Sequence, residues 1–342
     1  MMDKRDFHGK YGFSQKWRDF PDYIIGITKE IWEDRDTQSL NRYYSDDIPV
    51  RSPMGIQRGN QEVIAATLAT CHEFPDRQLF GEDVIWSQHE TGLLSSHRLI
   101  TTATHSHDGV FGKASGKRFT VRVIADCAAR NDTIFDEWLV RDYGGIVRQL
   151  GLAPRKFARK LILREGGADK CARPYNPKAD IAGDYKGAGN SNVWGERYAD
   201  TLKLIMDKDF SVIPHRYDRA VCTQYAGGVD GISWDSATGF WLALRSAFPN
   251  AQFRIHHQIG MDADMLPPRA AVRWSLDGKH EGVGAFGRPT GAHVHVMGIS
   301  HAEYGPFVGP GQDGSATIRR ETALYDEIAI WKQILMQTGE PE

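Results

Sequence analysis

The sequence has little cysteine and no cysteine pattern. Cys71, Cys127, Cys171 and Cys222 are scattered through 342 residues without a Cys-x-x-Cys pair. That excludes a disulfide framework and a cysteine-based zinc site. Long apolar runs are missing too: none approaches the ~20 residues that span a bilayer. Met1 to Lys10 is charged and lacks the apolar stretch of a secretory leader. A soluble cytoplasmic protein with no membrane partner is the expectation. Charge of one sign is also absent. The formal net charge is -2, so no basic field argues for a nucleic-acid partner. No Gly-rich nucleotide loop, Ser or Cys elbow, or zinc spacing occurs, and neither a cofactor nor a metal is expected.

What the sequence does contain is itself, twice. Asp34-Arg35-Asp36 falls on Asp207-Lys208-Asp209 at an offset of 173, which also places Tyr44 on Tyr217 and Gly55 on Gly228. Leu68-Ala69 and Phe74-Pro75 fall on Leu242-Ala243 and Phe248-Pro249 at 174. Phe111-Gly112-Lys113 falls on Phe286-Gly287-Arg288 at 175. Glu137, Asp142, Ile146 and Gln149 then fall on Glu321, Asp326, Ile330 and Gln333 at 184. The matches keep their order, and the last jump coincides with the loop-like composition Gly305 to Gly311. Two homologous domains follow: 1–160 and 193–342, joined by a Gly/Pro/Asn-rich linker at 161–192 that is either a plain connector or an ordered cover over a pocket mouth.

Periodicity assigns the elements. Tyr23 to Arg35 and Gln61 to His72 read as helices, and 36–44 as a short one. Strand candidates are Arg77 to His89, Gly92 to Thr104, Lys117 to Ala128 and Thr133 to Asp142, after a short strand around Ile48 and Val50. The second copy repeats this order. The fold class is therefore α+β: two tandem cone-shaped domains, each with helices packed on a curved antiparallel sheet around an apolar cavity.

The motifs sharpen this. Gly287-Arg288-Pro289-Thr290-Gly291, followed by a strand, resembles the Pro-Thr-Gly hairpin of SnoaL-like polyketide cyclases; the first copy has Gly112-Lys113-Ala114-Ser115-Gly116. Glu137, Trp138, Asp142 and Gln149-Leu150-Gly151 resemble the family's closing strand, whereas in copy two Thr322 replaces the Trp. The resemblance implies the nuclear transport factor two-like (cystatin-like) cone. It also implies ring closure by an intramolecular aldol reaction without metal or organic cofactor, with an acid/base Asp after the Trp-bearing strand. Carried over by motif, that group is Asp142, and Asp326 in copy two. Domains of this superfamily commonly pair through their sheets, so an intrachain pseudo-dimer is expected, with a further homo-oligomer left open.

Residue by residue, alternatives stand side by side. Asp142 shares strand parity with Trp138 and Val140. If that face lines the cavity, burial raises its pKa toward useful acid/base range; otherwise it is a capping or salt-bridged Asp. His97 either relays protons or is a hydrogen-bonded structural histidine. His105 and His107 beside Asp108-Gly109 read as a hairpin tip. Arg122 and Arg273 either hold a substrate carboxylate or face solvent. Tyr44, Trp86, Trp138, Tyr217, Trp274 and His295 complete the candidate substrate-binding set, against the alternative that most are core. The functional expectation is a cofactor-independent lyase, isomerase or cyclase on a small or medium carbonyl substrate. The alternatives are a non-catalytic small-molecule-binding protein with an aromatic-lined pocket, and a pocketless scaffold.

Overall fold

Capping side chains set where the first helices begin. Asp19 accepts the Asp22 amide at 2.9 Å and starts α1 (Phe20–Thr28), with Pro21 in its first turn. A π-helical turn, Lys29–Glu33, extends it. In the computed structural model, which describes residues 5–308 and 316–339, the chain continues through α2 (Leu40–Tyr43), β1 (Pro49–Ser52), β2 (Gly55–Arg58) and α3 (Gly59–Glu73). Four long strands follow: β3 (Gln78–His89), β4 (Gly92–Thr104), β5 (Arg118–Arg130) and β6 (Thr133–Arg141). Asn131 and Asp132, both at positive φ (53° and 56°), make the two-residue turn between β5 and β6. Helices α4 (Tyr143–Gln149) and α5 (Pro154–Arg164) close the first unit.

The second unit repeats the plan. It runs α6 (Val193–Met206), α7 (Ile213–Arg216), β7 (Tyr217–Tyr225), β8 (Val229–Ile232), α8 (Ser233–Ala247), β9 (Gln252–Ala263), β10 (Leu266–Lys279), β11 (His293–Val308), β12 (Ala316–Tyr325) and α9 (Glu327–Thr338). The sheet orders are β2-β1-β6-β5-β4-β3 and β8-β7-β12-β11-β10-β9. Registers agree as well: Cys127 faces Glu137 in one sheet and Ala302 faces Glu321 in the other. The sheets are mixed rather than wholly antiparallel, because β1 runs parallel to β6 and β7 to β12. The expected loop at Gly305 to Gly311 is corrected in part: Gly305 to Val308 prolong β11, and the remainder lies outside the described residues.

Each sheet has two buried faces. One faces its own helices. The other packs against the partner sheet along a seam of Ile124, Val140, Trp138, Met297, Ile299 and Leu324. Arg273 crosses the seam to Asp126 at 3.0 Å and lies over the Trp138 ring, 3.6 Å from its centroid. The segment 165–192 is ordered along this seam. Arg51 binds Asp180 at 2.6 Å, and the Tyr185 hydroxyl meets His257 Nε2 at 2.9 Å. The linker expected to start at 161 begins within α5, whose Leu161 and Ile162 pack with Ile328 and Leu335 of α9. No helix among the described residues is long and apolar enough to cross a membrane.

Candidate functional site

The hollow-facing side of the first sheet carries odd-numbered residues. On β4 these are His97, Leu99 and Thr101; on β5, Val121, Val123, Ala125 and Cys127; on β6, Glu137, Leu139 and Arg141. Strand alternation then sends Trp138, Val140 and Asp142 to the seam. The inner hollow, of about 40 Å³, is closed by Ile24, Ile27, Trp32 and Tyr44. A wider hollow of about 460 Å³ shares Trp32, Tyr44, Arg77, Glu137, Leu139 and Arg141 with it, and opens past Met54, Gln57, Ala172 and Arg173. The connecting segment thus walls the mouth, the second of its two expected roles.

Glu137 is the acid of this hollow. It is 5% exposed, and its Oε2 has no hydrogen-bond partner among the described residues. Burial pushes its pKa up, against the lowering effects of the Tyr44 hydroxyl, the Arg141 charge and the Cys127 thiol beside it. His97 lies two strands away, with about 10 Å between the strand axes, and Ser95 Oγ engages its Nδ1 at 3.1 Å. Burial brings its pKa down to about 4, so the ring is neutral at pH 7. Arg77 donates its Nε to Thr101 Oγ1 at 3.2 Å. Its pKa falls to about 10, through burial first and then the nearby Arg141.

Of the residues expected at the site, His97 and Tyr44 are here, and the others are not. Asp142 is corrected from cavity acid to helix N-cap at the seam. Its carboxylate accepts the amides of Gly145 (2.8 Å), Gly227 (2.8 Å) and Gly228 (2.7 Å). A Cβ at Gly145 would sit 2.4 Å from that carboxylate. Asp326 likewise caps α9 through Ile328 N and Ala329 N. Burial raises the pKa of Asp142 to about 6 and of Asp326 to about 8, despite those amides. Arg122 pairs with Glu82 and, at 3.5 Å, with Asp230 of the second unit. Arg273 and Trp138 belong to the seam. His295 Nδ1 is tied to Asp277 at 2.9 Å, and Trp86 packs edge-on against Phe20. His105 is buried rather than at a tip, between Ser115 (3.1 Å) and Glu73 (3.3 Å).

Tyr217 and Trp274 lie in the second unit, whose hollow is filled. Ninth in the fifteen-residue helices α3 and α8 stand Thr67 and Trp241. Leu99 opposite Val123 becomes Trp274 opposite Gly298. A Cβ at Gly298 would come within 2.2 Å of the Trp274 ring, so the large residue requires the small one. Glu321, the counterpart of Glu137, accepts from Tyr198 (2.8 Å), Tyr217 (2.8 Å), Tyr225 (2.5 Å) and Trp241 (3.2 Å). The same buried acid is thus saturated in one copy and left with a bare oxygen in the other. The repeat itself held the signal that finds Glu137, since Glu137 and Glu321 match across the two copies.

Two six-stranded mixed sheets, each with helices against one face, define an α+β protein of two tandem units. Residues 23–150, within the first unit, match the family model described as SnoaL-like polyketide cyclase. Among solved structures, IdmH, a putative polyketide cyclase from Streptomyces antibioticus, is 22% identical, covering 39% of this chain and 98% of its own, at a TM-score of 0.34. TsrD from Streptomyces laurentii is 18% identical with the same coverages and TM-score. A protein with a ketosteroid isomerase-like fold from Catenulispora acidiphila, in complex with trimethylamine, is 11% identical, covering 39% of this chain and 95% of its own, at 0.32. No curated protein matches the chain.

Proposed function

We propose that the first unit is a cofactor-independent acid/base catalyst, an isomerase, lyase or cyclase, acting on a small or medium carbonyl compound with Glu137 as the proton carrier. The supporting observation is the buried Oε2 of Glu137, without a partner among the described residues, on the wall of a hollow. A carboxyl raised by burial is better matched to proton transfer near neutral pH than an exposed one. Glu137 takes a proton from the carbon next to the carbonyl, and the electron pair shifts onto the carbonyl oxygen. A neutral His97 in its Nε2–H form, or the Tyr44 hydroxyl, donates a hydrogen bond to that oxygen. Returning the proton to another carbon gives isomerisation; attack of the enolate carbon on a second carbonyl closes a ring, and the alkoxide that forms takes back the proton held by Glu137. The SnoaL-like match of residues 23–150 is consistent with both outcomes. The second unit, filled by Trp241 and Trp274, serves packing.

The test is exchange of α-protons into D2O, followed by NMR over a panel of ketones and 1,3-dicarbonyl compounds. Wild type is expected to exceed buffer, and Glu137→Gln to lose about 10²–10⁴-fold, while Asp142→Asn retains exchange. Wild-type rates in Glu137→Gln would sink the assignment. Binding without any exchange would favour the non-catalytic binding protein instead.

A further inference from the structure

Two guanidinium groups reach the hollow of the first unit, from Arg77 and Arg141. Among the described residues neither makes an ion pair: the salt bridges of this unit involve other arginines. Glu73, which shares the wall with both, spends its carboxylate on the amides of Val110 and Phe111, at 2.9 and 2.8 Å. Both are half-buried, and holding two like charges beside each other in one partly desolvated hollow opposes folding, so their presence calls for an explanation.

The second unit supplies the comparison. Arg141 is the last residue of β6, and Tyr325 is the last residue of β12. Arg77 immediately precedes β3, and Ala251 immediately precedes β9. The copy whose hollow is filled therefore has neither arginine. The Arg141 charge does act on Glu137, but no ion pair joins them among the described residues, and Glu321 shows that the fold keeps the same acid with Tyr and Trp donors and no arginine. Both arginines go with the open space rather than with the fold.

We infer that the hollow takes a carboxylate-bearing carbonyl compound, its carboxylate held between Arg77 and Arg141 and its carbonyl end directed to Glu137 and His97. This rests on the reading of that hollow as the substrate site. Planar forked donors match a carboxylate, and Arg77, which gives its Nε to Thr101, keeps its two terminal nitrogens for the ligand. Trp32, Leu79, Leu99 and Leu139 supply the apolar wall for the rest of the molecule.

The experiment compares 3-benzoylpropionate with its methyl ester, and with phenyl phosphate, by calorimetric titration of the full chain. The acid is expected to bind at least about tenfold more tightly than the ester, the scale of one or two charge-assisted hydrogen bonds. In Arg141→Tyr and in Arg77→Ala, each checked for an unchanged melting curve, the acid-to-ester ratio falls toward one. Arg141→Lys, a second variant that keeps the charge, retains part of it. Equal binding of acid and ester, no binding of the acid, tighter binding of phenyl phosphate, or an unchanged ratio in Arg141→Tyr would each overturn the inference. The two readings fail separately. Selective acid binding without proton exchange ends the catalytic reading alone, whereas equal exchange on acid and ester ends this one alone.

Discussion

Asp326 makes the stability of this protein a steep function of pH. Its carboxyl is 2% exposed at the start of α9, and burial lifts its pKa to about 8, with the nearby Asp142 and Glu327 pushing the same way. In the unfolded chain the same group titrates near 3.8. Between those values the unfolded state releases a proton that the folded state keeps. Stability from this group is therefore full below about pH 4 and is lost as pH rises through about 8, at about 1.4 kcal/mol per pH unit. That is on the order of 4 kcal/mol between pH 5 and pH 8, a large part of the stability of a typical domain. Asp142, raised to about 6, adds a slope of the same sign that ends earlier. Asp326→Asn keeps a side-chain oxygen for the Ile328 and Ala329 amides, because Asn is as good an N-cap as Asp, but it removes the ionisable group. Urea denaturation at intervals from pH 5 to 8.5 should show wild type losing stability across the range, and the variant losing much less. Similar stabilities are expected at pH 5, with the variant ahead by several kcal/mol at pH 8. A flat wild-type curve, or the same slope in both proteins, would refute the reasoning.

Two further predictions concern packing. Gly298→Ala should cost about 1–3 kcal/mol in urea midpoints, because the new Cβ meets the Trp274 ring at 2.2 Å, and adding Trp274→Leu should recover most of that loss. Arg273→Met should cost about 3–5 kcal/mol, by leaving Asp126 buried without its partner; pairing it with Asp126→Leu should restore much of the stability, and a double variant no better than the single would contradict the seam energetics.

The duplication, and with it the architecture, was legible because element lengths and registers were copied along with residues. Gly92–Thr104 was bounded correctly, and the offsets of 173 to 184 reproduce the strand pairing of both sheets. The parallel contacts of β1 and β7 were not legible, since pairing direction leaves no mark on the residues of a strand, whether of four as in β1 or nine as in β7. The site was half legible. His97 and Tyr44, expected at the cavity, do line it, but β6 was turned the wrong way: Trp138 looked like a cavity wall, and Asp142 followed it by parity. A strand buried on both faces carries no polar side to orient it, and every residue from Ile134 to Val140 except Trp138 is buried. Nor could the sequence say whether Trp241 and Trp274 line a space or fill it, because that depends on how far each ring reaches across the cone.

The filled second hollow has an evolutionary consequence. In a homodimer of this unit, a tryptophan at the Thr67 position would appear in both subunits and abolish both cavities together. Covalent fusion removes that constraint. One copy can trade its interior space for rigidity and brace the shared seam, leaving the other free to keep unpaired charge and empty volume that a lone domain could less easily tolerate.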